Sequence, residues 1–281
     1  MDRFACSDTA GDYSFTNCKW QSCTSSSTGA AISLSQSSSS LNIIFCTFSS
    51  CSACSGGGAV YVSSLPSVFI RYSFLNSCRL SKDGSYAGGV YASSITKCVR
   101  IDDTSFIRNE GDGHASALLM DNSNSNTVSD TLKYQRTAIS NCRFVSCRMT
   151  RYDGTVYLIT LSIQSISNCL FSNNYAKRWA GAVRLHVDTL HFDEKGNALP
   201  YFLFDFFNNN EATNIDNGSP SEQSQAGQNI YLTSINNIVS NGDKCFASCF
   251  SANDRYGIVR YYPYTDQTAR YPNNWLPHAA N

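Results

Sequence analysis

Two short clusters in this 281-residue chain carry the side chains that acid–base chemistry needs, Asp102-Asp103 and Gly111-Asp112-Gly113-His114. Hydrolysis of a glycosidic bond takes two carboxyl groups facing each other across it, one to protonate the leaving oxygen and one to act as base or nucleophile. Eliminative cleavage of an acidic polysaccharide takes instead a base, commonly Arg or Lys, with acids that hold calcium at the sugar carboxylate. Asp102, Asp103, Asp112 and His114 are the nearest approach to either set; the chain has only four glutamates, and its other acids are scattered. A different chemistry, stacking against rings, is open to Tyr61, Tyr91, Tyr157 and Tyr231, which with Arg184 occupy equivalent places in a repeating pattern. Metal chemistry has weaker footing. Cys51-Ser52-Ala53-Cys54 is a lone C-x-x-C without a second pair. The odd offset from His186 to His191 points two strand imidazoles to opposite faces. No metal and no cofactor are expected.

The elements that must position these residues are legible in a nine-residue signature, apolar-x-x-Cys-x-aromatic-x-x-Cys/Asn. Aligned on the central aromatic, its copies fall at Trp20, Phe48, Phe74, Phe106, Phe144, Phe171, Phe206 and Phe246. Five residues earlier stand Phe15, Ile43, Phe69, Ile101, Ile139, Ile166 and Tyr201, and two residues earlier Cys18, Cys46, Tyr72, Thr104, Cys142, Cys169 and Phe204. Three residues later stand Cys23, Cys51, Ser77, Asn109, Cys147, Asn174, Asn209 and Cys249. A strand-like piece such as Val60-Tyr61-Val62 or Val156-Tyr157-Leu158 then follows. Alternation with period two marks half-buried strands, and no segment keeps a 3.6-residue period long enough for an amphipathic helix. A recurring unit of about three short strands, joined by small-residue turns such as Gly57-Gly58-Ala59, is the mark of a solenoid. The expected fold is all-β, a single-domain parallel β-helix of about eight rungs. Residues 14-251 hold the repeats, 1-13 an N-terminal cap and 252-281 a C-terminal cap or tail. Longer spacings place polar loops near 121–132, 190–200 and 210–228.

Stacked rungs change how the chemistry-bearing residues read. Position-equivalent cysteines such as Cys18 with Cys46, Cys23 with Cys51 and Cys142 with Cys169 fall within the Cα separation a disulfide accepts. An odd total of thirteen, and replacement by Thr, Tyr, Phe, Asn or Ser at the same positions, favour reduced thiols packed as small apolar groups. Asp102-Asp103 occupy the positions of Ser140-Asn141 and Ser167-Asn168, so a polar corner explains them without catalysis. The outward positions run Ser33, Tyr61, Tyr91, Leu119, Tyr157, Arg184 and Tyr231, an expected exposed stripe. It is either a column that stabilises the sheet or a platform for sugar rings or a partner's surface.

Composition narrows the classes. With 21 basic and 21 acidic residues and no basic run, nucleic acid is not an expected partner. Charged residues are 15% of the chain, below the ~25% usual in globular domains, and Ser, Asn and Thr take the solvent face instead. No apolar run reaches the length of a membrane span. The stretch Met1–Cys6 lacks the apolar core of a secretory signal, so the chain is expected either to stay inside the cell or to be a piece of something secreted. Terminal rungs expose strand edges, which makes self-assembly through the ends an alternative role.

Gly57-Gly58-Ala59-Val60, Phe106-Ile107-Arg108-Asn109, Phe171-Ser172-Asn173-Asn174 and Phe206-Phe207-Asn208-Asn209 resemble the GGA(I/L/V) and FxxN repeats of polymorphic membrane proteins, the surface β-helix proteins of chlamydiae. The variants Phe48-Ser49-Ser50-Cys51 and Phe144-Val145-Ser146-Cys147 are closer to cysteine-bearing repeats in surface proteins of protists such as trichomonads. The resemblance runs from about Phe15 to Ser251 and implies a right-handed coil of the pectin-lyase-like superfamily, cell-surface display, and contact with a glycan or a host or cell-surface protein. It assigns no catalytic residues. The same superfamily also contains polysaccharide lyases and glycoside hydrolases, and Asp102, Asp103, Asp112 and His114 are faintly similar to the paired Asp and following His of polygalacturonases; this is the enzymatic alternative.

Overall fold

The computed structural model describes residues 4–7, 12–35, 38–81, 86–121, 136–151, 154–160, 163–177, 180–187, 191–192, 198–199, 201–203, 206–212, 230–234 and 259–263. Within them the backbone winds as a parallel β-solenoid without helices. One turn consists of Leu41–Ile44, Thr47–Ser49, Ser52–Ala53 and Val60–Ser63, and each strand pairs in parallel with its counterparts in the turns on either side. The two-residue strand is a fourth element where the pattern indicated only a turn. Strands equivalent to Val60–Ser63 build a first sheet of nine; those equivalent to Leu41–Ile44, Thr47–Ser49 and Ser52–Ala53 build a second, third and fourth sheet of seven each. Eight rungs is therefore an approximate count, and the copy around Phe246 lies outside the described residues. The first sheet begins at Phe4–Ser7 and ends at Val259–Pro263, so strands pair inside both segments expected as caps. The loops expected near 121–132 and 210–228 fall almost wholly outside the described residues. The one near 190–200 contains an antiparallel pair, His191–Phe192 with Ala198–Leu199.

At two of the bends in a turn the direction changes at one left-handed residue. Between the second and third sheets these are Asn17, Phe45, Tyr72, Asp103, Asn141 and Asn168, with φ from 48° to 56°. Between the third and fourth they are Ser22, Ser50, Ser77, Arg108, Ser146, Asn173 and Asn209. At both kinds of corner the next residue turns inward and hydrogen-bonds a backbone group close to the bend. At the first corner Ser73 Oγ donates to the Arg71 carbonyl and Thr104 Oγ1 to that of Asp102, both at 2.8 Å, and the Cys142 thiol takes the same place against Ser140 at 3.1 Å. At the second, Asn109 Oδ1 accepts from the Cys78 amide at 2.8 Å while its Nδ2 donates to the Leu75 carbonyl at 3.1 Å. Cys147 Sγ points in the same way at the Phe106 carbonyl, 3.4 Å away. The signature cysteines are thus corner donors exchangeable with Ser, Thr and Asn. Cys18, Cys23, Cys46, Cys51, Cys54, Cys78, Cys98, Cys142, Cys147 and Cys169 are free thiols.

Register corrects the alignment in two copies. Leu75, not Phe74, pairs with Phe48 and Phe106, and Phe207, not Phe206, pairs with Phe171. The inward residues of the third copy are therefore Ile70, Ser73 and Cys78 in place of Phe69, Tyr72 and Ser77, and the seventh copy offers Asn210 in place of Asn209. A slip of one residue turns every side chain to the other face of a strand. The true inward column is Trp20, Phe48, Leu75, Phe106, Phe144, Phe171 and Phe207. Its neighbouring rings stack 4.7–5.0 Å apart, one rung spacing. Between the fourth and first sheets successive turns approach closely at Gly58, where a Cβ would stand 1.9 Å from the Gly88 oxygen. Only glycine fits there.

Candidate functional site

A left-handed backbone is disfavoured for side chains larger than Asn, Asp or Ser. Phe45 and Tyr72 hold that conformation at adjacent corners between the second and third sheets, with φ of 53° and 50°. They are also the large apolar side chains left exposed among the described residues, at 55% and 52%. Their rings stack on each other with centroids 4.9 Å apart and planes 15° from parallel. The column continues with Asn17 on the Phe45 side and Asp103 on the Tyr72 side, both exposed. The left-handed corner recurs from turn to turn, but an exposed aromatic side chain that bears its strain without serving the core is an outlier from which a functional hypothesis can be drawn.

The outer face of the second sheet supplies the polar surroundings. Arg100 Nε donates to Asp102 Oδ2 at 2.5 Å, and Arg71 Nε stands 3.6 Å from the same oxygen. Ser140 donates its hydroxyl to Asp102 Oδ1. Arg71 lies over the Phe69 ring, 5.4 Å from its centroid. Asp102 is buried under these partners, whereas Asp103 and Arg100 are exposed. Two guanidinium groups against two carboxylates leave the patch without net charge.

Other residues singled out from the sequence fall in two places. Asp102 and Asp103 close the second sheet, whereas Asp112 and His114 lead into the first; the strands Ser105–Ile107 and Glu110–Gly111 stand between them. The four are not gathered on one corner. Asp112 accepts from Thr150 Oγ1 at 2.7 Å. The outward column is in the expected register, with Ser33, Tyr61, Tyr91, Leu119, Tyr157, Arg184 and Tyr231 paired in succession. It is not an exposed stripe. Tyr91 and Tyr157 are 5% and 6% exposed and Leu119 is buried, because Ala87 and Ala115 with Tyr86 and Ile159 pack over them as a second apolar cluster outside the coil. Tyr61 is half-buried against Tyr91, with centroids 5.3 Å apart. The side chain of Tyr231 lies outside the described residues. Arg184 covers the Tyr157 ring at 4.5 Å, and His114 meets the same ring at 6.0 Å.

Burial, followed by the positive charge of Arg184, holds His114 below its ordinary 6.5, with Asp121 opposing. The folded chain keeps this imidazole neutral where the unfolded chain binds a proton. His114 therefore contributes stability that is present above pH 6.5 and lost as pH falls through its folded value. In His114→Gln the decline in urea midpoint below pH 6.5 should be shallower than in the parent chain; equal slopes would place the titration elsewhere.

The stacked thiols have shifted acidities but no access. A hydrogen bond from Cys78 brings Cys51 down to about 7 against the effect of burial, and burial pushes Cys147 up to about 12. Both are fully buried, so no substrate reaches either sulfur. Among the described residues no three His, Cys, Asp or Glu side chains are placed to hold a metal ion, and no helix is long and apolar enough to cross a membrane.

The sequence reading missed Phe45 and Tyr72, and both had left a signal. Cys78 lies three residues after Leu75, as Cys51 does after Phe48, which puts Tyr72 at the corner. Phe45 stands where the equivalent residues are Asn17, Asp103, Asn141 and Asn168. No family model, curated protein or solved structure matches the chain.

Proposed function

We propose that this β-solenoid is a non-catalytic, surface-type module for adhesion to or recognition of a glycan or protein partner, and that its recognition surface includes the Phe45–Tyr72 corner. The observation that carries the reading is the stacked, exposed aromatic pair in a backbone conformation that favours small polar residues. The likeness of the repeats to polymorphic membrane proteins points the same way, and a right-handed coil and cell-surface location belong to the proposal with it. Asp102, the centre of the enzymatic alternative, is engaged by Arg100, Arg71 and Ser140 as a structural acid would be.

The test is the double substitution Phe45→Asn and Tyr72→Asn, applied to arrayed glycans and extracellular-matrix proteins. Relieving each left-handed aromatic returns about 1–2 kcal/mol, and losing the ring pair costs about 0.5–1.5 kcal/mol, so stability should hold or rise. Binding by the parent chain should fall about tenfold or more in the variant, a loss of ~1.4 kcal/mol. Equal binding by the two chains, or no binding by the parent, refutes the reading. Release of shortened sugars from an acidic or neutral glycan would favour the enzyme.

A further inference from the structure

We infer that the corner column Asn17–Phe45–Tyr72–Asp103 is a binding site for neutral pyranose glycans; this rests on the recognition reading and names its ligand. The four residues are successive corners of one ladder. The backbone amides of Asn17, Phe45 and Tyr72 donate to Ile44, Arg71 and Asp102 of the next turn at 3.0–3.1 Å, so each corner lies directly over its neighbour. Phe45 and Tyr72 cover one face of each other. The remaining face of Tyr72 looks toward the level of Asp103, and that of Phe45 toward the level of Asn17. Aspartate and asparagine are shorter than the rings, so beyond their tips each outer face is open, consistent with exposure of about half of both aromatic residues.

Three properties of this column select the ligand. A ring face bare on one side takes a flat apolar partner, and the C–H face of a pyranose is such a partner. At that level the Asp103 carboxylate at one end and the Asn17 amide at the other stand where ring hydroxyls would lie. The Asp103 side chain is exposed, and a charged acceptor makes the stronger hydrogen bond to a hydroxyl. Charge supplies the second criterion. Arg71 and Arg100 both contact Asp102, which leaves Asp103 as the exposed acid at the open level, so an anionic sugar is repelled where a neutral one is held. Size supplies the third. A standard protein interface buries ~800 Å² on each partner, far more than two exposed aromatic side chains offer, whereas one or two sugar rings match them.

The test is titration of the whole chain with cellohexaose, xylohexaose and laminarihexaose as neutral probes and polygalacturonate as the acidic one. The expected result is saturable binding of at least one neutral hexaose in preference to polygalacturonate. Tyr72→Asn and Asp103→Ala should each weaken it about tenfold, and Tyr72→Phe, which keeps the stacking face, should retain it. Thermal midpoints report whether the variants fold: Asn is at ease in the left-handed corner at Tyr72, whereas Ala at Asp103 adds strain there. Preference for polygalacturonate, or indifference to both losses, overturns the inference. If the parent chain binds only arrayed proteins, through Phe45 and Tyr72, the glycan inference fails while the recognition reading stands. If it binds nothing, both fail.

Discussion

Replacing Asn174 by leucine is expected to remove about 2–4 kcal/mol of stability although it puts an apolar residue into an apolar interior. Asn174 is 1% exposed, yet it makes three side-chain hydrogen bonds. Its Oδ1 accepts from the Cys147 amide at 2.9 Å, and its Nδ2 donates to the Phe144 carbonyl and to Asn210 Oδ1, both at 2.9 Å. Leucine leaves the Cys147 N–H and the Phe144 C=O buried without these partners, at about 1–3 kcal/mol each. Asn174→Cys should cost less, because Cys147 already points its thiol at the equivalent Phe106 carbonyl. Urea denaturation, with hydrogen exchange at the Cys147 amide as a local readout, checks both. A loss below ~0.5 kcal/mol for the leucine variant would mean that the corner side chains are ornament rather than structural partners.

The second large effect discriminates between the two possible registers of the third copy. Leu75→Ala should cost about 2–4 kcal/mol, as for a fully buried leucine whose neighbours cannot collapse into the space. Leu75 is 0% exposed and lies between Phe48 and Phe106 in the inward column. Phe74→Ala deletes a larger side chain, yet should cost under ~1.5 kcal/mol because Phe74 is on the outer face and half-buried. If the order of the two losses were reversed, the aromatic column read directly from the sequence would be right and the strand pairing wrong.

That third copy shows why part of the molecule was legible and part was not. In Leu41-Asn42-Ile43 and Val60-Tyr61-Val62 the apolar residues stand in one phase, so the inward face is unambiguous. In Val68-Phe69-Ile70-Arg71-Tyr72-Ser73-Phe74-Leu75 both phases carry apolar residues, and an aromatic at Phe74 imitates the signature. The seventh copy, Phe206-Phe207-Asn208-Asn209-Asn210, satisfies the pattern in either register. The candidate site fell into this gap. Tyr72 was aligned with the inward cysteines, and Phe45 sat unremarked among polar corner residues.

The tyrosine column failed in a different way. Its register from Ser33 to Tyr231 followed from the apolar-x-apolar pattern of each first-sheet strand, even where polar loops lengthen the spacing between strands. Its exposure did not. Period two separates the inner from the outer face of a strand, but it carries no information about what packs on the outside. Here Tyr86 and Ala87, ahead of one first-sheet strand, and Ala115, which begins the next, pack in one cluster with Tyr91 and Tyr157.

By itself, the sequence determined that this chain coils. A stacked ladder needs the same kind of residue at the same place in every turn, and that need is written into the chain as a repeat. Its Cys, Asn, Ser and Thr positions also mark the two corners on either side of the third sheet, where an inward polar group or thiol stands against a backbone oxygen. Only the tertiary structure decided which phase of the third and seventh copies faces inward, and which outer faces remain open. Both depend on contacts with neighbouring turns and loops rather than on the local pattern. For that reason the eye-catching tyrosines became a second core, while an aromatic pair at two strained corners was left exposed.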